Sequence, residues 1–268
     1  ITLPDGSVVD DGTLFHRTFL TGSKSRKYIK KANIRAFIPC GGFKDTVNQS
    51  NVKQFLANFA ELKFIVEGAN IFFDDSARRY IATETEIKQI KDSSANKGGV
   101  FSSSIAEVLT AFLLGDNYEN ALDGDLPTKW GLVRDIMALV KRYAQEETEM
   151  LLKLHELSPE IPLFDLSERS SEQIFGLQDK LEEHINLLTE DSALMNHVLK
   201  EYTPSVLVDK IGLDAISAIL GQSELVPYRN AIITKKLAAI AYYKFGTTWD
   251  SFLKKVDKNL PKALASAV

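Results

Sequence analysis

A change of hydrophobic period part-way along the chain constrains its fold more than any other feature. Between residues 34 and 91, short apolar runs alternate with an amphipathic segment. Ala36-Phe37-Ile38 stops at Pro39 and Gly41-Gly42, Phe64-Ile65-Val66 stops at Glu67-Gly68, and a third run over 86–90 carries Ile87 and Ile90. Between the first two, Val52, Phe55, Leu56 and Phe59 fall at i, i+3, i+4 and i+7, one face of a helix. The Asp74-Asp75 pair marks the start of another helix, where the macrodipole favours acidic residues. Apolar runs separated by helices make βαβ units and a parallel sheet, because parallel neighbours need a crossover between them. Such sheets bind ligands at the carboxyl ends of their strands. Three glycine- and asparagine-bearing segments fall there: Pro39-Cys40-Gly41-Gly42, Glu67-Gly68-Ala69-Asn70 and Asn96-Lys97-Gly98-Gly99.

After the third segment the period becomes helical and stays so. Ile105, Val108, Leu109, Phe112 and Leu113 share one face, with Ser104 and Glu107 placed as a capping box. The stretch 116–127 is rich in Gly, Asp and Asn and reads as a domain boundary. Helices are then expected over 130–157, along Ile174, Leu177, Leu181, Ile185 and Leu188, and over 206–220, 228–245 and 249–256. The expected class is α/β, a partial parallel sheet followed by an all-helical C-terminal domain. Its divisions are a β-hairpin connector over 1–22, read from Asp5-Gly6 and Asp11-Gly12, a sheet domain over 23–115, and a helical extension over 116–268.

Each loop has its own chemistry. Glycine at a strand end lets backbone approach a ligand closely. Asparagine offers a donor and an acceptor together, which suits a ribose hydroxyl or a carboxamide. Residues 96–104 place backbone N–H groups and three serine hydroxyls at a helix start, where an anionic group is favoured. Ordinary turn and capping roles account for any one of these loops equally well.

Composition removes other classes. The net charge of -4 gives no general attraction for nucleic acid or an anionic membrane, and no run of about 18 uninterrupted apolar residues points to a membrane span. The single cysteine, Cys40, rules out an intrachain disulfide, and the histidines at 16, 155, 184 and 197 lack metal-ligand spacing, so no metal is expected. No signal peptide opens the chain, and its start at Ile1 rather than Met reads as a fragment or a processed product.

In this order the three segments resemble the superfamily of glutamate, leucine and phenylalanine dehydrogenases. Phe37-Ile38-Pro39-Cys40-Gly41-Gly42 looks like the family's strand-end "PCA" or "PCGG" segment, Phe64 through Asn70 matches its "VEGAN" motif, and Ser94 through Ser104 resembles "NAGGV…S". The variants here are similar to those of the large NAD-dependent glutamate dehydrogenases, specifically over about residues 33–114. The resemblance implies NAD as cofactor and L-glutamate, 2-oxoglutarate and ammonia as reactants. It places Cys40, Gly41, Asn70 and Asn96 at the nicotinamide side of the cofactor and Ser103 at the substrate's side-chain carboxylate. It also implies a homo-oligomer in the cytoplasm or mitochondria, not secreted.

Departures from the family pattern accompany these matches. Gly41-Gly42-Phe43-Lys44-Asp45 replaces "PCA-x-QNE", so no glutamine contact is carried over. Ile105-Ala106-Glu107 holds one residue more than the pattern "SSS-x-E", which turns later side chains by about 100° on a regular helix. Lys97 precedes two glycines as the family's catalytic lysine does, but within the other motif. No G-x-G-x-x-G occurs, and no lysine–aspartate pair for acid–base chemistry can be assigned. The chain therefore looks like the second half of a Rossmann domain joined to a helical extension, inactive by itself, with the catalytic Lys and Asp expected upstream. Two other readings stay open: a non-catalytic helical assembly or regulatory module anchored by the half-sheet, and a binding module for a different nucleotide.

Overall fold

The computed structural model describes Thr2, Val8 and residues 12–268. Helices α1 (Gly12–Thr21) and α2 (Arg26–Ala32) lead into β1 (Ala36–Phe37), followed by α3 (Val52–Asn58), β2 (Phe64–Val66), α4 (Asp75–Glu84), β3 (Lys88–Ile90) and α5 (Asp92–Ala95). A continuous helical stretch comes next, α6 (Gly98–Phe101), a π-helical segment over Ser102–Leu109, and α7 (Thr110–Leu114). The helical part continues with α8 (Leu126–Leu157), α9 (Leu163–Glu183), α10 (Ile185–Glu190), α11 (Ser192–Tyr202), α12 (Ser205–Ile211), α13 (Leu213–Leu220), α14 (Val226–Phe245), α15 (Trp249–Lys258) and α16 (Leu260–Ala267). The class is α/β with a large helical part, as the change of period implies.

The sheet is parallel in the order β1-β2-β3, with Phe37 opposite Ile65 and Val66 opposite Ile90. Helices α3 and α4 supply the two crossovers. Asp74 caps α4 by accepting from Ala77 N at 2.6 Å. The chain divides into two compact units, Ile1–Asn96 with His155–Ser167, and Lys97–Leu154 with Glu168–Val268.

Aromatic packing organises the first unit. Phe37, Phe55, Phe59, Phe72 and Phe73 form one connected cluster, with centroids 4.7 Å apart for Phe55–Phe59 and 5.6 Å for Phe55–Phe73. Ile65 and Ile81 complete this core from β2 and α4. In the second unit, Ile105, Leu109 and Leu113 pack with Leu132, Leu199, Leu207 and Ile216. A separate cluster gathers Leu181, Leu237, Tyr242, Phe252 and Leu264.

Three local expectations are corrected. Residues 12–21 are helical, so the hairpin reading does not extend to residue 22. Leu20 on α1 is buried in the aromatic core, and tertiary burial of this kind overrides a two-residue turn signal. Thr2 and Val8 do form an antiparallel bridge; the expected turn between them lies outside the described residues. Ser104 and Glu107 are not a capping box, because the helix already starts at Gly98 and Ser104 Oγ donates back to Val100 O at 2.7 Å. The helix expected over 206–220 is broken at Gly212, whose φ of 86° separates α12 from α13.

One helical stretch among the described residues, Gly98–Asn117, is long and apolar enough by length and composition to cross a membrane. Ser102, Ser103, Ser104, Glu107 and Thr110 break its apolar run. Ile105, Leu109, Thr110 and Leu113 are buried in the protein's own core, while Val100, Val108 and Phe112 of the same stretch are exposed.

Candidate functional site

The carboxyl edge of the sheet brings together the loops that follow the three strands. Gly68, after β2, lies so close to the β1 loop that a Cβ there would stand 3.1 Å from Pro39 O and 3.2 Å from Cys40 Sγ. Only glycine allows that approach without movement. Gly42 has φ 119°, and a Cβ on it would meet the Phe72 ring at 2.8 Å. Around this loop His16, Phe37, Ile38, Pro39, Cys40, Gly41, Gly42 and Phe43 line an open groove of about 390 Å³. Cys40 is exposed, and nothing lies within 4 Å of a Cβ built on Gly41, which leaves that backbone open to a ligand.

The second and third loops meet through their asparagines. Asn96 Nδ2 donates to Asn70 Oδ1 at 2.8 Å. Among the described residues neither Asn70 Nδ2 nor Asn96 Oδ1 has a hydrogen-bond partner, so the pair offers one donor and one acceptor to an incoming group. Cys40, Asn70 and Asn96 thus come from the three strand ends to one edge.

Beneath this edge lies a charge network that the sequence reading passed over. Glu67 is fully buried and accepts from Arg78 Nε at 2.9 Å, from Arg78 Nη2 at 2.6 Å and from Gln89 Nε2 at 2.9 Å. Burial pushes the Glu67 carboxyl up, and Arg78 opposes that shift. Arg78 also bonds Asp75 Oδ1 at 2.8 Å and lies 3.7 Å from Asp92 Oδ1. The available signal was the glutamate itself: a carboxylate closing a buried strand needs a cation, and Arg78 on the following helix is in reach.

The rest of the third segment belongs to the second unit. Lys97 Nζ lies 2.6 Å from Glu147 Oε2 on α8, and Tyr243 OH donates to the same oxygen at 2.9 Å. That ion pair ties the start of the third segment to α8 within the second unit. Ser103 is exposed and donates to Glu107 Oε2 at 3.3 Å, a long bond that another carboxylate can replace. Ser102 and Ser104 spend their hydroxyls on the helix's own carbonyls, Gly99 O and Val100 O, so only Ser103 of the three is directed at a side chain. The π-helical turns over Ser102–Leu109 explain how the additional residue before Glu107 fits. A π turn takes one more residue than an α turn and so absorbs an insertion. Thr110 Oγ1 bonds Ile105 O at 2.7 Å across it.

The family model described as Glutamate/Leucine/Phenylalanine/Valine dehydrogenase matches residues 13–155, more than half of the chain. The chain belongs to this family. Glutamate dehydrogenase 2 of Dictyostelium discoideum is 32% identical over 259 residues, covering 94% of this chain and 23% of that protein. The probable NAD-specific glutamate dehydrogenase of Schizosaccharomyces pombe is also 32% identical, covering 94% of this chain and 22% of its own length. The NAD-specific glutamate dehydrogenase of Neurospora crassa is 30% identical, covering 94% and 23%. The chain therefore spans less than a quarter of the length of these family members. No solved structure matches it.

Proposed function

We propose that this chain forms the nicotinamide-side wall of the cofactor and substrate cleft in an NAD-dependent glutamate dehydrogenase, which oxidatively deaminates L-glutamate to 2-oxoglutarate and ammonia. The observation that carries the proposal is the Asn70–Asn96 hydrogen bond, which joins two motif loops at the ligand-binding edge of a parallel sheet. The residues fit a dinucleotide: Gly41 leaves backbone open, Gly68 lets two loops close together, and the asparagines keep a donor and an acceptor available. NAD supplies the hydride acceptor. Cys40 and Gly41 border its nicotinamide ribose, Asn70 bonds that ribose, and Asn96 orients the carboxamide end. Ser103 donates to the side-chain carboxylate of glutamate, exchanging its bond to Glu107.

The test uses the complete polypeptide that carries this chain. Asn70→Ala is expected to raise KM for NAD, and Ser103→Ala to raise KM for glutamate by about tenfold or more, the equivalent of roughly 1.5–3 kcal/mol for a hydrogen bond to a charged group. Equal effects of both changes on NAD alone, with glutamate untouched, would show that these roles are wrong.

A further inference from the structure

We propose that Asp92 is a positioning residue that sets the geometry of both asparagines, an inference that rests on the cofactor-side reading of Asn70 and Asn96. Asp92 stands between them. Its Oδ2 accepts from Ile71 N, the residue after Asn70, at 2.7 Å, and its backbone carbonyl accepts from Asn96 N at 2.7 Å. The rest of the carboxylate is fixed as well, since Oδ1 accepts from Ser93 N at 2.8 Å and lies 3.7 Å from Arg78 Nη2. One mostly buried side chain therefore ties the end of the second loop to the start of the third.

The bond to Ile71 has a specific task. Ile71 has φ 52°, in the left-handed region that a β-branched residue avoids. Its own side chain is 45% exposed, so packing of that side chain does not enforce this conformation. Hydrogen bonds hold both sides of the residue: Ile71 N donates to Asp92, and Ile71 O accepts from Asp45 N at 2.8 Å. Without the Asp92 acceptor the backbone relaxes toward an ordinary conformation and carries the adjacent Asn70 away from Asn96. Strained conformations persist only where their surroundings over-determine them, and Asp92 is the side chain that holds the amide side of Ile71, while Asp45 N holds its carbonyl and Val47 N the carbonyl of Phe72.

The experiment uses the complete polypeptide and separates this claim from the role of Asn70. Asp92→Ala should raise KM for NAD about tenfold with a smaller change in kcat, and should speed amide hydrogen exchange at Ile71. Asp92→Asn keeps an acceptor for Ile71 N and should stay within about threefold of the parent. Ile71→Gly removes the need for the latch, because glycine adopts positive φ freely. The double variant Asp92→Ala/Ile71→Gly should therefore recover most of the lost affinity, and it gives the answer even where Asp92→Ala alone folds poorly. Unchanged exchange at Ile71 in Asp92→Ala, or no recovery in the double variant, overturns the latch whatever NAD does. An Asn70→Ala variant that leaves KM for NAD unchanged overturns the reading of the asparagines instead, while the exchange measurement still decides on Asp92.

Discussion

Arg78 grips Glu67 with two parallel bonds, Nε to Oε1 at 2.9 Å and Nη2 to Oε2 at 2.6 Å, and both side chains are almost wholly buried. Such a pair contributes little net stability when compared with an apolar substitute, because burying both ions is costly. Breaking it is another matter. Arg78→Met leaves Glu67 buried without its cation and should cost about 3–5 kcal/mol. Glu67→Gln should cost less, since Arg78 keeps Asp75 and Asp92. Urea denaturation of the variants checks this order, and a larger loss for Glu67→Gln would contradict it.

Lys236 on α14 gives the chain a pH signature. It is 7% exposed, bonds Tyr143 OH and sits 4.0 Å from the Tyr143 ring centroid, with Arg142, Glu146 and Glu201 as its charged neighbours. Burial, reinforced by Arg142, pulls its pKa down to about 8 from 10.5, against the opposing pull of Glu201 and Glu146. Between those two values the unfolded chain holds a proton that the folded chain has released, so this group makes stability rise with pH across that window. The penalty is fully present below about pH 8 and amounts to roughly 3 kcal/mol. Lys236→Met should remove that rise. Denaturation of both proteins through the window should show the variant's curve flattening against the parent's, whereas a constant offset between them would rule the assignment out.

Two helical glycines should respond oppositely to alanine. Gly176 on α9 is exposed, with nothing within 4 Å of an added Cβ, so Gly176→Ala should stabilise by about 0.5–1 kcal/mol through helix propensity. Gly131 on α8 faces Val206, whose Cγ2 would lie 2.8 Å from the new carbon. Valine is stiff at χ1 and cannot swing aside. Gly131→Ala should therefore destabilise by about 1–3 kcal/mol through overpacking. Thermal melts that move both variants in the same direction would refute the contrast.

The sheet and the long helices were legible in the sequence because burial there is periodic. Phe64-Ile65-Val66 is a strand as expected, and the expected helix over 130–157 is contained in Leu126–Leu157. What the sequence hid depends on contacts between distant positions. Gly12–Thr21 turns helical where Leu20 reaches the aromatic core, against its nearby turn signal. The π turn over Ser102–Leu109 leaves no mark on apolar spacing, and the additional residue before Glu107 implies by itself only a rotation of later side chains on a regular helix. At the site, the Gly and Asn residues of the loops stood out by composition and position. Asp92 and Arg78 did not, because their importance lies in the atoms they meet at 2.6–3.7 Å rather than in any local pattern.

The last prediction concerns the 268-residue chain assayed alone: no saturable NAD binding below the millimolar range, and no turnover of glutamate. Dinucleotide affinity comes largely from the pyrophosphate held at a glycine-rich turn and helix N-terminus, and this chain contains no G-x-G-x-x-G. What the proposed site offers is contacts to the nicotinamide end alone, through the Asn70–Asn96 pair and the open backbone at Gly41. Hydrogen bonds of that kind contribute about 0.5–1.5 kcal/mol each. A few of them barely offset the estimated ~4 kcal/mol or more of translational and rotational freedom lost on binding. Turnover should fail separately, because no lysine–aspartate pair for the acid–base step can be assigned among these residues. Calorimetric titration of the chain with NAD checks the first half. Low-micromolar binding would mean that these residues build a complete nucleotide site by another route, and the division of labour proposed for the three loops would have to be redrawn around it.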